Sequence, residues 1–195
     1  MATIGGALVV LLFCTFTLAS VVRYPGPFSP VDNWLSDLGT MKKNPSGDVY
    51  FNVGCVLTGV AMLLLMAGLG AWQAEDERKK FLLMVGRVCG VISAFGQMLI
   101  GVFYEGTPYH VMLAIAFFLL LFLFLAFTNF SIWKHPAYSR WIGYYAVAVI
   151  VINLAFMYTF FAYDNAPVWE WLAVFSVLLW VGLLAYNTLK LETVS

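Results

Sequence analysis

Charge is what this sequence has least of. Lys and Arg number 10, Asp and Glu another 10, and charged residues make up 10% of 195. A soluble domain carries about 25%, so a water-facing surface cannot be covered with so few. The charges cancel to a net of zero, which lacks the basic footprint of a nucleic-acid binder. Histidine occurs twice, too rarely for paired axial ligands of several haems. The cysteines Cys14, Cys55 and Cys89 all lie inside long apolar runs, so neither a disulfide framework nor a CxxC redox pair is expected. Gly-rich phosphate loops, HExxH and GxSxG are missing as well. No cofactor is called for.

What is there is hydrocarbon. Hydrophobic residues make up 63% of the chain and aromatics 17%. Apolar runs stand at about 2–22, 50–72, 81–104, 109–132, 140–163 and 167–188. Each can cross a bilayer core, since a span needs roughly 20 helical residues for ~30 Å. The expected fold is therefore all-α: one domain over 1–195, a polytopic membrane protein with six transmembrane helices. The first run has no Lys or Arg before it and exceeds the roughly 7–15 residues of a signal-peptide core, so it reads as a retained span. Short connections force neighbouring helices antiparallel in a compact bundle. Only the stretch 23–49 is long.

Orientation follows from Lys and Arg near the span ends. With both termini cytoplasmic, the inner side holds Arg78, Lys79, Lys80, Lys134, Arg140 and Lys190, and the outer side only Arg23, Lys42 and Lys43. The cell membrane is the expected location. Arg87, further into the third helix, can snorkel to the inner headgroups. Tyr24, Trp34, Tyr50, Tyr104, Tyr109, Tyr163 and Trp169 form an outer aromatic belt, and Trp72, Trp133, Trp141 and Tyr186 an inner one.

The long outer stretch carries dense local signals. Ser29 suits an N-cap and Pro30 a first helical position. Asp32 completes a variant of the capping box, and Gly39 supplies a left-handed stop. Val31, Trp34, Leu35 and Leu38 fall at i, i+3, i+4 and i+7, one apolar stripe. Asp32, Asn33, Ser36 and Asp37 take the opposite face. The pattern predicts a short amphipathic helix over Pro30–Leu38, lying along the membrane and folded back over the outer mouth of the bundle.

The unusual polar residues gather on that outer side. Asp37 and His110 are the candidates to handle a proton or a metal-bound water. Asp32, Asn33, Ser36, Asn52 and Glu105 are candidate binding residues. A zinc site needs three or four ligands, and His110, Asp37, Glu105 and Asp164 supply them only by convergence across loops, so no metal is assigned. The plainer reading has the loop's polar face in water while Trp34 anchors it, with His110 as a hydrogen-bonded cap. Within the third helix, Gly86, Gly90, Ser93, Gln97, Gly101 and Tyr104 make one small and polar seam, the mark of close packing in lipid. Gln97 needs a partner, and Asn153 lies at similar depth.

Ser36-Asp37-Leu38-Gly39 after the first span, Asn52 and Gly54 opening the second, and His110 opening the fourth together form a pattern. It resembles the six-helix membrane family catalogued as domain of unknown function 998. The resemblance covers about residues 24–120, and departs from it at Tyr104, where members often carry Pro. More loosely, the layout looks like the Frag1/DRAM/Sfk1 membrane proteins. The resemblance implies six spans and work related to lipid. Two functions stay open: a lipid-headgroup or amphiphile binder, with lipid-modifying chemistry included, and a non-catalytic subunit or scaffold. Membrane lipids are the expected partners in the first. A membrane-protein partner or a second copy of the chain is expected in the second.

Overall fold

The computed structural model describes residues 1–72, 76–163 and 166–194. Long helices occur where the apolar runs stand: α1 (Ala2–Val21), α2 (Asp48–Gly68), α3 (Glu77–Val102), α4 (His110–Ile132), α5 (Arg140–Ala162) and α6 (Pro167–Val194). All six are long and apolar enough to span a membrane. α1 packs on α2, α2 on α3, and so on round to α6, which returns to α1. The bundle is thus a closed ring in chain order, as short connections between antiparallel neighbours require. Its loosest seam is between α4 and α5.

Small residues decide how tightly the ring closes. Gly86, Gly90, Ser93, Gln97 and Gly101 are all buried. A Cβ on Gly90 would run into Met66 and Phe124, and one on Gly101 into the Asn52 carbonyl. The seam on α3 therefore faces the bundle, between α2 and α4. Only its last member, Tyr104, turns outwards. Apolar side chains gain nothing by leaving equally apolar lipid, so backbone proximity replaces hydrophobic burial as the source of contact.

The end remote from the long loop is stapled shut by polar bonds. Trp72 Nε1 donates to Thr188 Oγ1 at 2.9 Å, and Asn187 Nδ2 to the Ala137 carbonyl at 2.8 Å. Tyr138 donates its hydroxyl proton to Asn129 Oδ1 at 2.8 Å. Trp72 was expected in the inner aromatic belt; it is instead 1% exposed. Its indole N–H needs a partner once buried, and Thr188 is that partner. Arg87 reaches the far end of α2, its guanidinium beside Gly70. Its Nε donates to the Met66 carbonyl at 2.9 Å, near the negative end of the α2 dipole.

The loop between α1 and α2 departs from expectation in an informative way. No helix runs over Pro30–Leu38; a 3-10 helix occupies Leu35–Gly39 instead. Ser29 and Asn33 close a turn of their own, with Asn33 Oδ1 accepting from the Ser29 N–H at 3.0 Å and Ser29 Oγ accepting from Val31 N–H at 3.1 Å. Such side chains compete with helical backbone bonds, and Trp34 follows in an extended conformation. The helix restarts after it, with Asp37 Oδ2 accepting the Trp34 N–H at 3.2 Å. The apolar stripe is therefore split: Leu35 and Leu38 are buried while Val31 is exposed. Gly39 is not a left-handed stop, since among the described residues only Gly26 and Gly106 have positive φ. It is small because a Cβ there would collide with Asn52 and Phe51 of α2.

Candidate functional site

The 3-10 helix is a cap tied down from four sides. On the α1 side, Asn44 Nδ2 donates to Ser20 Oγ at 2.9 Å and to the Leu38 carbonyl at 3.1 Å. On the α2 side, Asn52 Nδ2 donates to the Gly39 carbonyl at 2.9 Å. α6 contributes Glu170, whose Oε2 accepts the Leu35 N–H at 2.6 Å. It also contributes Trp171, whose Nε1 donates to the Asn33 carbonyl at 2.9 Å. The fourth tie reaches the α3–α4 turn: Lys43 Nζ bridges Asp37 Oδ1 at 2.6 Å and Glu105 Oε1 at 3.0 Å. Thr40 Oγ1 adds a bond to Glu105 Oε2 at 2.9 Å. The turn itself needs Gly106, whose φ of 95° suits glycine alone.

This network sets the protonation of its members. Burial pushes the Asp37 carboxyl above its ordinary value, against the opposing pull of Lys43 and reinforced by Glu105 nearby. Burial acts on Glu105 as well, but hydrogen bonding with Asp37, Lys43 and Thr40 outweighs it and holds that carboxyl below the usual range. Burial works against the Lys43 ammonium, yet its two carboxylate partners raise it above the ordinary lysine value. One cation thus serves two carboxyls, and the buried one is the better proton holder.

Beneath the cap lie two chambers. The inner one runs down the bundle axis, walled by Val9 and Phe13 of α1, Thr58 and Met62 of α2, Gln97 of α3, Phe117 and Leu121 of α4, and Val174 and Val177 of α6. The outer one lies in the α4–α5 seam, between Val111, Ile115, Phe156, Met157, Phe160 and Phe161. Val111 and Phe161 are exposed, so this chamber opens on the side of the bundle. Ser36, His110, Ala114, Phe118 and Glu170 line both and form the junction. The chambers measure about 80 and 150 Å³, against the ~10–15 Å³ that one water needs. The two chambers thus adjoin through shared walls, and Ser36, Glu105, His110 and Glu170 form a polar mouth about their junction.

The profile of the family described as "Protein of unknown function (DUF998)" matches residues 7–187. The chain belongs to that family. The match extends the likeness beyond residues 24–120, to α1, the rest of α4, α5 and most of α6. No curated protein matches, and no solved structure does. No match links the chain to the Frag1/DRAM/Sfk1 proteins.

Within this DUF998 bundle, the expected site residues divide. Ser36, Glu105 and His110 come together at the mouth. Asp37 is buried, but it meets Lys43, while His110 Nδ1 meets the Phe103 carbonyl at 2.9 Å. The two expected proton-handling groups are therefore not joined to each other. Asn52 holds the cap, and Asn33 lies in the turn before it, bonded to Ser29 and, at 3.5 Å, to the Tyr24 hydroxyl. Asp32 is exposed, away from the chambers. Asp164, weighed as a metal ligand, lies outside the described residues; among those described, no group of three His, Cys, Asp or Glu is placed to hold a metal. Four residues of the cluster were not named as site residues from the sequence: Glu170, which was visible only as one of the outer-side polar residues, Lys43, Thr40 and Asn44. Glu170 carried a signal, an acidic group in the first turn of an apolar span.

Proposed function

We propose that this protein binds a membrane amphiphile, taking its apolar chain sideways through the α4–α5 seam into the axial chamber. The ligand's polar end then rests against Ser36, Glu105, His110 and Glu170. The observation that carries this reading is that the two chambers adjoin, sharing Ser36, His110, Ala114, Phe118 and Glu170 in their walls. An apolar chain gains little on moving from lipid into an apolar cavity. Selection therefore falls to the mouth, where each hydrogen bond made is worth about 0.5–1.5 kcal/mol net. In this reading His110 faces the ligand, and Asp37 acts one step back by holding the cap through Lys43. Docking of a protein through the outer loop has less support, because Leu35 and Leu38 point into the bundle.

Ala114 lines both chambers, so Ala114→Trp should block the junction. Native mass spectrometry of gently extracted protein is expected to find co-purifying lipid on the parent and none on the variant, with helix content equal by circular dichroism. Lipid retained on a folded variant would refute the reading.

A further inference from the structure

Away from Ser36, His110 and Glu170 at the junction, the axial chamber is apolar with two exceptions. Thr58 and Gln97 both line it, 3% and 5% exposed. Thr58 Oγ1 has no hydrogen-bond partner. Among the described residues, no hydrogen bond reaches the Gln97 amide either. Asn153, the partner expected for it, donates to the Val149 carbonyl of its own helix at 2.9 Å. In native proteins buried polar groups are satisfied with few exceptions, because an unpaired one loses its water bonds and gains nothing.

The packing of α2 on α3 sets the two at one level. A Cβ on Gly59 would meet Ala94 and Met98, and one on Gly101 would meet Asn52 and Cys55. These contacts bracket Thr58 against Gln97 on antiparallel neighbours. On the next helix, a Cβ on Gly96, beside Gln97, would meet Phe117, so this level lies near Phe117. His110 is two turns higher on α4, about 10 Å at 1.5 Å per residue. A hydroxyl and a carboxamide therefore face the chamber well below its polar mouth. Together they offer donors and acceptors, carry no charge, and are walled by hydrocarbon on the remaining sides.

We propose that Thr58 and Gln97 form a second, deeper subsite, which hydrogen-bonds a neutral oxygen, carbonyl or hydroxyl, borne part-way along the ligand's hydrocarbon body. This rests on the reading of the chambers as an amphiphile site, and narrows it. The preferred ligand is a chain or ring system with an oxygen function buried in its apolar part, not a plain saturated chain. A plain chain entering the chamber would leave both side chains unpaired, whereas an oxygen at that level pairs them. Discrimination of this type, where buried protein groups are left unsatisfied by the wrong ligand, is stronger than discrimination by apolar shape.

Two probes of equal length test this: stearate and its mid-chain ketone, titrated onto delipidated full-length protein and followed by native mass spectrometry. The ketone is expected to bind about three- to tenfold more tightly, the range of one net hydrogen bond. The preference should vanish in Gln97→Leu and shrink in Thr58→Val, a near-isosteric change that guards against failure of the first variant to fold. Equal binding of both probes to the parent would overturn the subsite while leaving the amphiphile reading intact. A preference that survives unchanged in folded Thr58→Val and Gln97→Leu would also overturn it. If neither probe binds, the amphiphile reading falls and the subsite with it.

Discussion

Lys43 is the residue on which the outer polar cluster turns. Its ammonium lies between Asp37 and Glu105, and its side chain is 40% exposed while that of Asp37 is 6% exposed. The bond itself is partly screened by water, so its direct worth is modest. Removal is costlier, because two carboxyls would then face each other with no cation between them. Lys43→Met is expected to destabilise the protein by about 1–3 kcal/mol. Asp37→Asn on that background should recover part of the loss, as thermal melting in detergent would report. The pH dependence has a definite sign. Lys43 is raised in the folded state, so its contribution is complete below its ordinary 10.5 and fades as pH climbs through the raised value. Glu105 is lowered, so its contribution is complete above its ordinary 4.5 and fades as pH falls below that. The Tm of the parent should therefore decline in alkali above pH 10.5 more steeply than that of Lys43→Met. Identical alkaline limbs would remove Lys43 from the network.

Among the elements, α3 and the cap argue in opposite directions. α3 does what its pattern of small residues promised, and Gly90 lies tight against Met66 and Phe124. Gly90→Leu is expected to overpack this contact at a cost of about 1–3 kcal/mol, seen as a lower Tm in detergent. An unchanged Tm would put that face in lipid. The cap did not follow its pattern. The i, i+3, i+4, i+7 stripe and a well-formed N-cap at Ser29 describe a helix, yet local propensity is a weak prior that tertiary contacts override. Asn33 closed its own turn, and hydrogen bonds donated by Asn52 and Trp171 and accepted by Glu170 drew a shorter 3-10 helix inwards. Asp37, placed on the polar face opposite the stripe, thereby became one of the most buried charged groups.

For the whole molecule, the distribution of Lys and Arg argues that the capped end faces outwards and both termini face the cytoplasm. A cysteine placed at the exposed Ser46, in a background with Cys14, Cys55 and Cys89 replaced by Ala, should react with an impermeant maleimide on intact cells. A cysteine near the C-terminus should react only after permeabilisation. The opposite pattern would invert the molecule, and with it the leaflet from which an amphiphile enters the α4–α5 seam. The seam itself has a physical origin. α1, α2 and α3 are knitted by Gly5, Gly54, Gly59, Gly90 and Gly101, each in close contact with the adjoining helix, whereas α4 and α5 meet through Phe118, Phe156 and Phe160. Bulky rings hold those two helices apart and leave the opening between them.

Hydrophobic run length alone determined that six helices cross a bilayer, because backbone groups in lipid must pair within their own helix, and only length and apolarity decide where that happens. Loop length determined that neighbours are antiparallel, and glycine spacing determined which face of α3 packs. Tertiary structure alone decided the rest. His110 was visible as an outer-side residue, but its place at the junction of two chambers depends on α4, α6 and the cap meeting there. Glu170 and Leu35, 135 residues apart, are joined by a hydrogen bond that no local pattern encodes. Gln97 needed a partner on any reading, and only the packed bundle turned it to the axial chamber instead of to Asn153. Local rules act over a helical turn; a cavity is made of side chains from many elements, and its shape exists only once they pack.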